Sequence, residues 1–106
     1  MPKIVSGGNY QTVITTFEVT PGTAQDLLDL LRDAHDAVIS RQPGFIGSAI
    51  HINDAQTRIA SYSQWQRRED FQAMLRTDEM RERNRRINEI CKSFEPVMYD
   101  VVATCG

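Results

Sequence analysis

The chain has 106 residues and a mass of 12.1 kDa, the common size of one domain, with no room for a second core. Its 41% hydrophobic and 25% charged residues are those of a globular chain that folds, and 12 Lys and Arg against 14 Asp and Glu leave a net charge of -2. No overall field therefore draws it to nucleic acid or to an anionic membrane. Two cysteines, Cys91 and Cys105, without a CxxC spacing, exclude a disulfide framework and a zinc knuckle. Reduced thiols and the lack of an apolar export or membrane-spanning stretch give the expectation of a cytoplasmic protein.

One domain is expected over residues 1–106, with its core at about 10–103 and a flexible lead at 1–9 that contains Gly7-Gly8. Tyr10 to Val19 alternates apolar side chains and is rich in β-branched residues, which predicts a strand that Pro21-Gly22 ends. Thr23 with Asp26 resembles a capping box, and Ala24, Leu27, Leu28, Leu31, Ala34 and Val38 recur every three or four residues. A helix over 23–41 follows. Phe45 to Asn53 and Thr57 to Trp65 read as an antiparallel hairpin. The period then changes to a short helix at about 68–76 and a longer one at 78–91. Phe94 to Ala103 is a last strand, with Pro96 marking an edge or a bulge.

The order strand, helix, strand, strand, helix pair, strand predicts an α+β fold: a ferredoxin-like split βαβ unit, with a four-stranded antiparallel sheet and all helices on one face. The other face must also be covered. Val97, Tyr99, Val101 and Ala103 lie opposite Phe94, Met98 and Val102, and Ile46, Ile50 and Ile52 oppose Phe45 and Ala49, so both faces are apolar. A second copy of the chain, packed sheet to sheet as a homodimer, is the expected cover.

The segments Pro43-Gly44-Phe45, Tyr62-Ser63-Gln64-Trp65 and Arg68-Glu69-Asp70-Phe71, with the closing strand, resemble the antibiotic biosynthesis monooxygenase domain of the dimeric α+β barrel superfamily over about residues 10–103. The resemblance implies a small dimer with one pocket per subunit between sheet and helices. Characterised members oxidise electron-rich phenols with O2 and without flavin, haem or metal, whereas others degrade haem, or isomerise or bind small metabolites. Fold transfers better than activity across such a family. Cofactor-free oxidation needs a substrate that is itself easily oxidised, a group that takes its proton, and a dry pocket that stabilises the anion.

Trp65 matches the family tryptophan and would wall the pocket with its indole N–H offered to the substrate; read alone, it is a partly buried core tryptophan. His51 is the candidate general base, although a lone strand histidine is by itself structural or solvated. The hairpin register decides between these readings. A three-residue loop at Asp54–Gln56 places His51 on the face of Ile59, Ser61 and Trp65, whereas a two-residue turn at Asn53-Asp54 places it with Tyr62; the first is the expectation. In phenol-oxidising members an asparagine can stand where this chain has Ser61, and a tyrosine where it has Phe71. Ser61 keeps one hydrogen bond and Phe71 only its ring.

Arg81-Glu82-Arg83-Asn84-Arg85-Arg86 is the chain's one charge cluster. Residues 67–92 hold eight basic and six acidic side chains, so a solvated helix face with pairs such as Glu82–Arg86 is expected. Arg86, beside Ile87, is the arginine that could turn inward to hold a phenolate. The haem branch's axial histidine falls at Leu75, and its first-strand asparagine at Thr15 or Thr16, so neither haem nor any other cofactor is expected. His35 and His51 have no carboxylate at ligand spacing, so no metal site is expected either. His35, between Asp33 and Asp36, reads as a solvated surface residue. Tyr62 and Tyr99 read as sheet or interface residues, Cys91 as packing, and Cys105 as a terminal thiol open to oxidation.

These readings lead to a cofactor-independent monooxygenase acting on an aromatic small molecule and O2. His51 and Trp65 would be catalytic, and Ser61, Phe71 and Arg86 would contact the substrate. The alternatives are a non-catalytic small-molecule-binding or stress-related dimer, and an isomerase or lyase using the same pocket.

Overall fold

A computed structural model describes residues 10–105, and the lead expected at 1–9 lies outside the described residues. The elements are β1 (Gln11–Glu18), α1 (Pro21–Ala37), a 3-10 turn at Ile39–Arg41, β2 (Phe45–Ile52), β3 (Arg58–Trp65), α2 (Arg68–Leu75), α3 (Asp78–Ile90) and β4 (Ser93–Tyr99). The strands form one antiparallel sheet in the order β2-β3-β1-β4. This is the ferredoxin-like α+β arrangement, with Pro96 on an edge strand where its missing N–H costs least.

Local chemistry moves some boundaries. Pro21, read as a strand stop, is instead the first residue of α1, where a fixed φ helps and an N–H is not needed. The expected Thr23 cap is therefore inside the helix, where its hydroxyl bonds back to the Thr20 carbonyl at 3.3 Å. α1 stops at Ala37 because Val38 leaves helical geometry, at φ -123, and the chain tightens into the 3-10 turn. At α3 the Thr77 hydroxyl accepts the Met80 N–H at 3.2 Å, and Asp78 and Glu79 face the positive end of the helix. β4 ends at Tyr99, short of the expected Ala103.

Register assigns the faces. Phe17, Ile59 and Phe94 align across β1, β3 and β4 on the helix side, as do Val13, Ser63 and Met98. Phe45 pairs with Trp65 and Gly47 with Gln64, leaving Ile46 unpaired in a bulge. That one extra residue overturns the face expected for Phe45. It lies on the side of Ile50, edge-on to Trp65 with ring centroids 5.5 Å apart. Gly44, at φ +84, precedes the bulge; a Cβ there would collide with the Asp70 carboxylate, so the Pro43-Gly44-Phe45 and Arg68-Glu69-Asp70-Phe71 segments constrain each other physically.

Candidate active site

Between the sheet and the three helices is a cavity of about 60 Å³. Trp65 and Phe71 form one wall, with ring centroids 5.9 Å apart, and Phe17 and Phe94, stacked at 5.7 Å, form the opposite end. Met74, Leu75 and Met80 close it from α2 and α3. Trp65 is 0% exposed and belongs to a hydrophobic cluster with Val13, Phe71 and Met74, so it is a core tryptophan and a cavity wall at once. Its indole N–H is not free for a ligand, because it donates to Ser63 Oγ at 3.0 Å.

The polar lining comes from Thr15 of β1, His35 of α1, Ser61 and Ser63 of β3, and Asn84 of α3. His35, 8% exposed, has Nδ1 at 2.7 Å from Ser48 Oγ and Nε2 at 3.2 Å from Ser61 Oγ. The expectation of a solvated His35 is thus wrong. Its neighbours Asp33 and Asp36 point to solvent, but His35 lies on the Leu27, Leu31, Ala34 stripe, four residues after Leu31. Burial lowers its pKa from the ordinary 6.5, against a smaller opposing pull from Asp36, and keeps the imidazole neutral. A neutral ring has one N–H and one bare nitrogen, so with a hydroxyl at each nitrogen it can both donate and accept.

Ser61 and Phe71 line the cavity with Trp65. His51 does not. Asn53 and Arg58 close a four-residue loop, because Asn53 Oδ1 accepts the N–H groups of Thr57 and Arg58 at 2.9 Å each and Gln56 takes φ 57. This register pairs His51 with Ala60 and places it, exposed, on the sheet face turned away from Trp65, overturning the expected three-residue loop. Arg86 is exposed and pairs with Glu82 at 3.4 Å. The solvated face expected of α3 is present in that pair and in Arg85 with Glu82 and Glu89, and an inward Arg86 is not. Its helical neighbour Asn84 lines the cavity instead, in phase with Met80 and Ile87, whereas Arg86 is a hundred degrees round the helix from Ile87.

A family profile described as Antibiotic biosynthesis monooxygenase matches residues 11–86, well over half of the chain. The chain belongs to the antibiotic biosynthesis monooxygenase family. No curated protein sequence matches it. Solved structures share the fold at low identity. An antibiotic biosynthesis monooxygenase-type protein of Nitrosomonas europaea superposes with a TM-score of 0.80 at 20% identity, covering 96% of this chain and 99% of its own. The monooxygenase from the gene ActVA-Orf6 of Streptomyces coelicolor, solved with nanaomycin D, gives 0.78 at 19%, covering 90% and 89%. SnoaB of Streptomyces nogalater, a cofactor-independent oxygenase, gives 0.75 at 17%, covering 92% and 97%.

In this family member no three His, Cys, Asp or Glu side chains cluster as metal ligands among the described residues, and no described helix is long and apolar enough to cross a membrane. Cys91 is buried and its thiol pKa is raised by that burial, in line with the packing role expected of it. The site residues missed by sequence reading are His35, Ser48, Ser63 and Asn84. Helical phase could have found His35 and Asn84; the serines needed the strand register.

Proposed function

We propose that the chain is a monooxygenase that oxidises a small phenolic molecule with O2 in the Trp65 cavity, without flavin, haem or metal. The carrying observation is a buried imidazole bonded to two hydroxyls beside two aromatic walls. Family membership and the cofactor-independent oxygenase among the fold relatives support the reading. The reaction is a phenol and O2 giving a quinone and water: one oxygen atom enters the ring, the other leaves as water, and the substrate supplies all four electrons. No outside reductant is required.

Trp65 and Phe71 hold the ring, Ser61 contacts the phenolic oxygen, and His35 takes the part expected of His51. His51 and Arg86, outside the cavity, have none. A cavity holding benzene has about 150 Å³. The present 60 Å³ therefore opens on binding, most readily by rotation of the unbranched Met74 and Met80 side chains. The working unit is a cytoplasmic homodimer, with Ile14, Ala49, Val97 and Tyr99 of the outer sheet face covered by the second copy. A sedimentation mass near 12.1 kDa at micromolar concentration would remove the dimer.

Oxygen uptake with a panel of hydroxynaphthalenes and anthrones tests the activity. The expected result is uptake matched by quinone formation and sharply reduced in Trp65→Phe, which leaves Ser63 without its indole partner. Saturable binding without uptake makes the chain a binding protein, and turnover under strict anaerobiosis makes it an isomerase or lyase.

A further inference from the structure

Ser48 stands outside the cavity, half-buried on the edge strand β2, yet it makes the shorter of the two contacts to His35, 2.7 Å against 3.2 Å. Ser61, on the neighbouring strand, is buried and lines the cavity. His35 thus bridges an inner hydroxyl to an outer one through its two ring nitrogens. We propose that Ser61, His35 and Ser48 form a proton relay between the Trp65 cavity and solvent at the β2 edge, with Ser48 as its outlet. The inference rests on the monooxygenase reading for its substrate but on geometry for its path.

The resting ring carries its hydrogen on Nδ1, donated to Ser48 Oγ, and accepts the Ser61 hydroxyl at Nε2. On activation the phenolic O–H breaks and its proton goes to Ser61 Oγ, the Ser61 proton goes to Nε2, the Nδ1 proton to Ser48 Oγ, and the Ser48 proton to water. Three hydrogens are replaced in step, and His35 is left as the other tautomer. When the second oxygen leaves as water, a proton enters through Ser48 to Nδ1 and the Nε2 hydrogen passes through Ser61 to that oxygen. One proton out and one in restore every group, and no electron moves through the relay. A buried ring that resists protonation suits transmission better than storage.

The test uses the full chain under nitrogen. Imidazole nitrogen NMR reads the His35 tautomer, and a pH jump on bound 2-naphthol, followed by absorbance, reads how fast its hydroxyl ionises. The expected results are an Nδ1–H ring at rest, a switch to Nε2–H in Ser48→Ala, and ionisation about tenfold slower in that variant, as befits loss of one proton-transfer partner. Ser48→Thr, which keeps the hydroxyl, restores both, so that a merely structural effect of losing Ser48 is distinguished. An Nε2–H ring in the unaltered protein, or equal ionisation rates with and without the Ser48 hydroxyl, overturns the relay. Slower ionisation in Ser48→Ala with no oxidation of any phenol in air sustains the relay and overturns the monooxygenase reading.

Discussion

The two faces of the sheet divide polar and apolar side chains differently from a solvated sheet. The helix-side face holds Ser48, Ser61 and Ser63 among aromatic rings and satisfies each hydroxyl through His35 or Trp65. The outer face carries Ile14, Ala49, Tyr62 and Val97, and its histidine, His51, is exposed with the Ala60 carbonyl at 3.3 Å. Burial turns an ordinary residue into a reactive one when its partners are fixed; exposure leaves the same residue type solvated.

The largest expected effect lies at Trp65. Trp65→Ala removes the ring that Phe45 and Phe71 both pack against and lowers stability by about 3–5 kcal/mol, read by urea or thermal unfolding. Tyr99→Ala, on the outer face and 47% exposed, is instead expected to weaken the proposed pairing of two copies, seen as a higher dissociation constant in sedimentation with little change in the unfolding of the single chain. A loss at Tyr99 as large as that at Trp65, independent of concentration, would break the contrast.

The two histidines come next. His35→Ala is expected to lower the oxidation rate about 10²-fold or more, on the scale of losing a general acid-base group, whereas His51→Ala leaves it unchanged. Their exchange of roles in a kinetic assay would sink the His35 assignment. Stability sharpens the point. The folded state holds the His35 pKa below 6.5, so the unfolded chain takes up this proton first as pH falls. The contribution is complete above pH 6.5 and is lost as pH drops from there toward the folded value; His35→Gln flattens that part of the curve.

The strand and helix order was readable because each element carries its own period, whereas Pro96 left β4 as an edge or a bulged strand until the sheet order put it at the edge. Sites depend on phase, and phase is fragile. A bulge at Ile46 reversed the face of Phe45, and one residue of hairpin register, set by the Asn53 side chain, moved His51 across the sheet. His35 was misread through its charged neighbours, although helical spacing from Leu27 and Leu31 pointed inward. Trp65, Ser61 and Phe71 were singled out by the family resemblance and not by phase; the structure puts all three on one cavity because Ser61 and Trp65 flank Ser63 on one face of β3 and Phe71 lies on the buried stripe of α2.

The smallest expected effect is a gain on the outer face. Tyr62 Oη is buried with no hydrogen-bond partner, the one described side-chain atom of that kind, while the hydroxyls of Ser61 and Ser63 on the helix side are paired. An unpaired buried hydroxyl costs free energy because it has given up water for nothing. Tyr62→Phe removes that cost while keeping the ring, and should raise stability by about 1 kcal/mol, or about 4–8 °C in melting temperature for a domain of this size. Ser63→Ala, by contrast, strands the Trp65 indole N–H and should destabilise. Opposite signs for removing one hydroxyl from each face are the expected signature of a sheet whose helix side pairs its buried hydroxyls and whose outer side leaves that of Tyr62 unpaired; a fall in melting temperature for Tyr62→Phe would show the hydroxyl engaged and break that distinction.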